Sequence, residues 1–284
     1  MAVVATGFFD GVHLGHRQVI QTLVSSARSR GEEAIVVTFA QHPRAVLQQD
    51  AHSLRLLNSP QEKEALLRAL GVDRVETLPF DRAFARLSAA DYIREVLRDR
   101  LGATLLVLGY DNRLGSDCLG PDAIRPLAEL LGLTVTVVPP TVKPAGPVIS
   151  STKIRACLEE GRVEEAEAML GYAYGLRGIV VSGKQLGRKL GFPTANLRLY
   201  DPMKLVPARG VYLTEVEVLG DHYWGMTNVG DIIETNIFDF NEDIYGLDLA
   251  IRFRRWLRPM RGFDSLDALS AQLAADRAAC RALI

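Results

Sequence analysis

Two histidines flanking Leu-Gly, His13-Leu14-Gly15-His16, are the residues of this chain whose types and spacing speak most directly of chemistry. The apolar run Ala2-Val3-Val4-Ala5 precedes them, and Val19, Ile20, Leu23 and Val24 follow at helical spacing. The tetrad therefore sits where a first strand turns into a first helix, the place where α/β proteins bind anions. Gly11 and Gly15 let the backbone approach a ligand closely. Two imidazoles beside a helix N-terminus suit a polyphosphate, because both rings and the free backbone N–H groups donate to its oxygens. The plainer alternative is a pair of surface histidines in a glycine-rich turn.

Three further segments are placed to meet this turn. His42-Pro43-Arg44 follows the strand that ends in Thr38-Phe39, and Gly109-Tyr110-Asp111-Asn112-Arg113 follows another. Ser150-Ser151-Thr152-Lys153-Ile154-Arg155 opens a helix, so hydroxyls, backbone donors and two cations gather at its positive end, as β- and γ-phosphates require. An N-cap accounts for one of these hydroxyls, and solvated helix charge would account for Arg155.

A second constellation lies in Gly183-Lys184-Gln185-Leu186-Gly187-Arg188-Lys189-Leu190-Gly191-Phe192-Pro193-Thr194-Ala195-Asn196. Glycines among basic residues make a phosphate-enclosing loop, although a hairpin turn would also use them. Thr194 and Asn196, two residues apart, share one side of an extended segment and offer oxygen donors acceptable to Mg2+. Glu234, on a strand further on, is either a solvated charge or a base.

The elements that must position these groups differ between the two halves of the chain. To about residue 140, strands expected at 34–39, 75–78, 104–108 and 133–138 alternate with amphipathic helices, one started by Ser59-Pro60 and ended by Gly71, another capped by Ser88. That alternation predicts an α/β fold with a mainly parallel sheet, its ligands at the carboxyl ends of the strands. Two short helices are expected at 152–160 and 163–170, separated by Gly161. Beyond Gly175, strands expected at 178–182, 210–218, 223–228, 235–238 and 249–253 predict a small antiparallel β-barrel. A terminal helix starting near Ser265 packs on the barrel through Leu266, Leu269 and Leu273. The domain boundary is placed between 172 and 176.

The chain has 284 residues, enough for two domains, and its 48% hydrophobic and 24% charged content is that of a soluble globular protein. A net charge of −1 argues against a general nucleic-acid binder. No signal peptide and no membrane-spanning run is read, and Cys118, Cys157 and Cys280 suggest neither a disulfide framework nor a zinc site. A reducing cytoplasm fits.

The segment from Gly7 through Phe8, Phe9, Asp10, Gly11 and Val12 to His16 resembles the HxGH nucleotidyltransferases, and within them the FMN adenylyltransferase module of bacterial bifunctional riboflavin kinase/FAD synthetases. The resemblance implies a Rossmann-like first domain over 1–173. In it His13, His16, Ser150, Ser151, Thr152 and Arg155 hold the ATP triphosphate, Gly7, Phe8 and Asp10 shape the pocket, and Asp111 and Arg113 lie on the FMN side. FMN phosphate attacks the α-phosphorus of ATP and pyrophosphate leaves. An ionised phosphate needs no general base, so positioning and charge stabilisation carry the step.

The stretch around Gly-Phe-Pro-Thr-Ala-Asn resembles the riboflavin kinase signature. Asn228-Val229-Gly230, Glu234-Thr235-Asn236-Ile237-Phe238-Asp239-Phe240, Phe263 and Asp276 follow in that family's order. This implies a kinase barrel over 174–284 in which Gly183, Gly187, Arg188, Thr194 and Asn196 bind ATP, Thr194 and Asn196 ligate Mg2+, and Glu234 takes the proton of the ribityl 5′-hydroxyl, a neutral nucleophile that needs a base.

Two loops are shorter than the family pattern and are read as mobile and close to substrate. One is Asp231-Ile232-Ile233, between Asn-Val-Gly and Glu234; the other is Ser116-Asp117-Cys118-Leu119-Gly120. The expectation is a cytoplasmic enzyme that makes FMN from riboflavin and FAD from FMN with Mg2+ and ATP. It is expected to be a monomer or weak homo-oligomer without nucleic-acid or membrane partners. The alternatives are a chain that has kept one of the two activities, or a flavin- or nucleotide-binding regulator without turnover.

Overall fold

A computed structural model describes residues 1–47, 54–140, 148–183, 187 and 190–284. The chain divides into two compact units, 1–151 and 152–284.

In the first unit, β1 (Ala2–Thr6), β2 (Glu33–Phe39), β3 (Arg74–Leu78), β4 (Ala103–Gly109) and β5 (Thr134–Val138) form a wholly parallel sheet in the order β3-β2-β1-β4-β5. Strand side chains alternate between two helical layers. Val4, Ile35, Val37, Leu106 and Leu108 pack with Tyr92, Ile93, Leu97, Ile124 and Ala128 on one face. Val3, Ala5, Ala34, Val36, Leu105 and Val107 pack with Val19, Ile20, Leu23 and Leu67 on the other. Each large side chain so buried contributes roughly 1.5–3 kcal/mol. The central strands β1, β2 and β4 are mainly apolar because both faces are covered, whereas the edge strands β3 and β5 carry polar residues such as Glu76 and Thr134.

The helices are α1 (Leu14–Arg30), α2 (Pro43–Leu47), α3 (Pro60–Ala69), α4 (Ala89–Asp91, running on as a wider coil over Tyr92–Arg100) and α5 (Pro121–Leu130). Their starts follow local chemistry. Ser59 and Glu62 form a reciprocal capping box at α3, and Ser88 accepts from the Asp91 amide at α4. The short α2, not anticipated, begins at the Pro43 that follows β2. The 116–120 loop, expected to be mobile, is tied to the start of α4. The Ser116 amide donates to the Leu87 carbonyl at 2.8 Å, and Asp117 accepts from the Ala89 amide at 2.9 Å.

In the second unit, β6 (Gly175–Val181), β7 (Ala195–Leu199), β8 (Gly210–Val218), β9 (Asp221–Val229), β10 (Ile233–Ile237) and β11 (Asp248–Pro259) close into an antiparallel barrel in the order β10-β7-β6-β11-β8-β9. The barrel differs from expectation in three ways. β7 is an additional strand, β10 runs over Ile233–Ile237 rather than 235–238, and β11 continues to Pro259 through register shifts after Phe253 and Trp256. Thr214, Thr227 and Thr235 line up inside, with oxygen–oxygen distances of 2.8 and 2.9 Å. Only three residues, Gly230 to Ile232, join β9 to β10, and the Gly230 amide closes this turn on the Ile232 carbonyl at 3.2 Å.

The expected short helices are α6 (Ser151–Glu159) and α7 (Val163–Leu170). They group with the barrel rather than with the sheet, so the compact unit starts well before residue 174. The Ala208 amide donates to the Leu158 carbonyl at 2.9 Å, and Arg254 bridges Glu167 and Glu215. The terminal α8 (Leu266–Arg281) is capped by Ser265. It packs on the outer barrel wall through Leu273 and Cys280, beside Val211, Leu213, Met226 and Phe238, whereas Leu266, expected at that contact, is 56% exposed.

Candidate active sites

The first site lies at the carboxyl ends of β1, β2 and β4. β1 is flanked by β2 on one side and β4 on the other, so the chain reverses its direction of travel across the sheet here, where open α/β sheets leave a ligand crevice. Asn112 holds this point together: its Nδ2 donates to the Thr6 carbonyl at 2.9 Å and its Oδ1 accepts from the Gly109 amide at 3.1 Å.

The turn from β1 into α1 is tightly constrained. Phe9 and Val12 adopt φ of 53° and 36°, uncommon for any side chain and strained for a β-branched one. His13 is the N-cap of α1, its Nδ1 accepting from the His16 amide at 3.3 Å. The proton of the neutral ring is thereby assigned to Nε2, leaving an N–H to donate elsewhere. The His16 ring stacks on His13 with centroids 3.6 Å apart and planes at 15°. Its buried Nδ1 has no hydrogen-bond partner among the described residues.

Burial lowers the pKa of His13 to about 4 and pushes His16 well below the ordinary 6.5. The positive charges of His13 and Lys63 push His16 further in the same direction. The pair is therefore neutral at physiological pH and stands at the positive end of α1, where first-turn amides lack intrahelical acceptors.

The residues expected to shape this pocket tie the turn to its neighbours. The Gly7 amide donates to the Val37 carbonyl at 3.0 Å. The Phe8 carbonyl accepts from Thr38 Oγ1 and Lys63 Nζ, both at 3.1 Å. Asp10 is buried and accepts from the Leu57 and Asn58 amides at 2.9 and 3.3 Å. Ser151 joins the site, its hydroxyl donating to the Asp10 carbonyl at 2.8 Å, and Ser150 precedes it in the chain. Thr152 and Arg155 stand on α6, in the second unit. Asp111 and Arg113 are exposed on the turn after β4, with the Arg113 guanidinium packed against Gly120.

The second site is a cavity of about 250 Å3 between the outer barrel wall and α8, lined by Gly187, Thr194, Glu234, Asn228, Arg258 and Phe263 among others. The register builds it. Asn196, Glu234, Asn228, Val211 and Arg258 lie opposite one another across β7, β10, β9, β8 and β11, one residue out of phase with Thr227 and Thr235 inside the barrel. With the Asn196 amide oriented to match its surroundings, its nitrogen donates to Glu234 Oε1 at 3.0 Å and its oxygen accepts from the Gly183 amide at 3.3 Å. A Cβ at Gly183 would collide with the Asn196 amide, and one at Gly187 with the Phe192 carbonyl. Arg188, with Lys184, Gln185, Leu186 and Lys189, lies outside the described residues.

For a divalent cation, the donor set suits Mg2+. Thr194 and Asn196 offer hard neutral oxygens beside the Glu234 carboxylate, and the described residues contain no cluster of three His, Cys, Asp or Glu side chains that would bind a metal alone. The buried Asn228 Oδ1, without a partner among the described residues, lies on the residue opposite Glu234 in the β9–β10 register.

The roles of three residues escaped the sequence reading. Lys63 sits on the inner face of α3 four positions before Leu67, a spacing that was the available signal. Asn112 and Asn228 lie in the motif segments quoted above, but nothing local marks their roles, since the Thr6 carbonyl that Asn112 binds is distant in sequence.

A FAD synthetase model matches residues 1–153 and a riboflavin kinase model residues 170–284. A Listeria monocytogenes protein named bifunctional riboflavin kinase/FMN adenylyltransferase is 35% identical, over 99% of this chain and 91% of its own. A Bacillus subtilis protein of the same name is 34% identical, over 97% and 90%. A crystal structure described as a macrolide-efflux protein from Streptococcus pneumoniae shares the fold with a TM-score of 0.92 at 35% identity, covering 99% of this chain and 93% of that one. Among the described residues, no helix is long and apolar enough to cross a membrane. With a FAD synthetase domain and a riboflavin kinase domain in one polypeptide, the chain is an enzyme belonging to the bifunctional riboflavin kinase/FMN adenylyltransferase family.

Proposed function

We propose that the barrel phosphorylates riboflavin to FMN and that the parallel-sheet domain adenylylates FMN to FAD, each from ATP. The observation that supports this reading is that one chain carries both the stacked His13–His16 pair at the start of α1 and Glu234 beside Asn196 in the barrel cavity.

At the first site, the Nε2–H of His13, the His16 ring and the amides of the first turn of α1 receive the triphosphate. Ser150, Ser151, Thr152 and Arg155 add donors and charge, and Asp111 and Arg113 contact FMN. The FMN phosphate attacks the α-phosphorus, and the same donors stabilise the departing pyrophosphate. At the second site, Gly183, Gly187 and Arg188 enclose ATP. Thr194 and Asn196 would hold Mg2+, which supplies neutralisation of phosphate charge when bound. Glu234 accepts the proton of the ribityl 5′-hydroxyl as that oxygen attacks the γ-phosphorus.

The functional modules are assigned to 1–173 and 174–284. The family matches end at 153 and begin at 170, which leaves most of the two short helices to neither. The enzyme is assigned to the cytoplasm, as a monomer or weak homo-oligomer acting on small molecules. A net charge of −1 supports the exclusion of nucleic acid.

The test is a chromatographic time course with riboflavin, ATP and Mg2+, and a parallel run started from FMN. The expected result is FMN that rises and then gives way to FAD. FMN accumulating without FAD in either run would leave a kinase alone. FAD from FMN with nothing from riboflavin would leave an adenylyltransferase alone. Flavin binding without ATP consumption would make the chain a regulator.

A further inference from the structure

Lys63 is a charged side chain where the fold has no structural need of one. It is 5% exposed on α3, on the face shared with the fully buried Leu67. An ammonium in such a place loses solvation that a methionine of similar length would not. Its bonds all lead to the histidine turn and its surroundings. Nζ donates to the Phe8 carbonyl at 3.1 Å and to Thr38 Oγ1 at 2.9 Å, and it lies 4.0 Å from the centre of the Phe8 ring. Asp10 attracts it, and its charge helps to hold His16 neutral. The stretch of chain from Leu57 to Lys63 thus grips residues 8 to 10 twice, by amides on Asp10 and by the ammonium on Phe8.

We propose that Lys63 is a positioning residue for adenylyl transfer: its ammonium fixes the Phe8 carbonyl against the end of β2 and supplies a buried positive charge whose field reaches His16. This rests on the reading of that pair as the triphosphate site. Charged donors already in place cost no reorganisation when charge develops on pyrophosphate. A short segment held from two sides keeps the two imidazoles in the stacked geometry.

The charge also gives the role a signature. Burial lowers the pKa of Lys63 to about 8 against the pull of Asp10. Asp10 from the turn and His16 from α1 are the titratable groups whose charge bears on it, with His42 across the Phe8 ring. Above about pH 8 the free enzyme loses this proton and its charge, so kcat/KM for ATP in FMN adenylylation falls there.

The experiment measures that profile from pH 7 to 9.5 in the full chain for wild type, Lys63→Met, Thr38→Val and His16→Ala, with thermal unfolding as the check on folding. Lys63→Met is expected to lower kcat/KM for ATP at least tenfold at pH 7.5 and to abolish the alkaline fall. Thr38→Val removes one acceptor of the ammonium and is expected to move the fall to lower pH. A folded Lys63→Met with kcat/KM within threefold of wild type, or with the alkaline fall intact, overturns the proposal. If Lys63→Met does not fold, Thr38→Val decides, and an unmoved profile overturns it. An active His16→Ala would overturn the triphosphate-site reading itself, whereas an inactive His16→Ala beside a normal Lys63→Met would overturn the role of Lys63 alone.

Discussion

Asn196 and Glu234 are cross-strand partners in the β7–β10 register, and the amide nitrogen of the one donates to Oε1 of the other at 3.0 Å. The residue proposed to hold Mg2+ thereby orients the residue proposed to take the substrate proton. A carboxylate held by an amide keeps its second oxygen for a hydroxyl, whereas glutamine in its place keeps an acceptor for Asn196 and loses basicity.

Glu234→Gln is therefore expected to fold normally and to lose riboflavin phosphorylation by about 100-fold or more, the usual worth of a general base. FMN adenylylation by the same chain should be unchanged. His16→Ala should do the converse, with a loss of roughly 100-fold for one missing charge-stabilising donor. Separate assays started from riboflavin and from FMN check both, and loss of both activities in either folded variant would defeat the two-site assignment.

Gly183→Ala isolates the loop from the base. Its Cβ would collide with the Asn196 amide, so either the strand end or the amide must move. The expected outcome is a rise of at least tenfold in the KM for ATP of the kinase reaction, with the adenylyltransferase KM untouched. Steady-state kinetics with both flavin substrates measure it.

What was legible in the sequence was what local chemistry decides. The serines at 59, 88 and 265 cap helices because a hydroxyl beside free amides needs nothing from the rest of the chain. The alternating strands of the first unit declared a parallel sheet because both of its faces are covered. The five residues of β7 include Arg198, and they gain their place only by pairing with β6 and β10. Asn112 binds a carbonyl 106 positions away, and Lys63 one 55 positions away, so the partners of both lie beyond what local spacing shows. Motif spacing pointed to His13, His16 and Asn196, and family resemblance to Glu234, but neither pointed to the side chains that hold their surroundings in place.

The histidine pair makes the enzyme acid-sensitive. The pKa of His13 falls from about 6.5 in the unfolded chain to about 4 in the fold, so between those values the unfolded state binds more protons. Stability is full above about pH 6.5 and is lost as the pH falls towards 4, by roughly 3 kcal/mol for His13 alone. His13→Asn keeps an acceptor suited to an N-cap and removes the titration. Thermal unfolding between pH 4 and 7 should show a shallower decline for His13→Asn than for wild type, with similar midpoints at pH 7.

The C-terminal helix is held to the barrel by an ion pair rather than by apolar contact alone. Arg258 Nε and Nη2 meet the Asp276 carboxylate at 2.9 and 2.6 Å, with side-chain exposures of 18% and 5%, and Gln272 adds a bond to the same carboxylate. Asp276→Ala leaves the guanidinium largely buried without its partner, a change that costs about 3–5 kcal/mol when an ion pair is out of water. Because Arg258, Leu269 and Leu273 line the cavity beside Glu234, the loss should appear twice. The unfolding midpoint of the barrel should fall, and the KM for riboflavin should rise. Replacing Arg258 and Asp276 together by leucine should restore most of the stability, since an apolar pair fills the space without a stranded charge. If riboflavin affinity stays low in that double variant, Arg258 contributes to the flavin pocket itself; if it recovers, the ion pair acts only by seating α8. Calorimetry and riboflavin kinetics on the three proteins separate these outcomes.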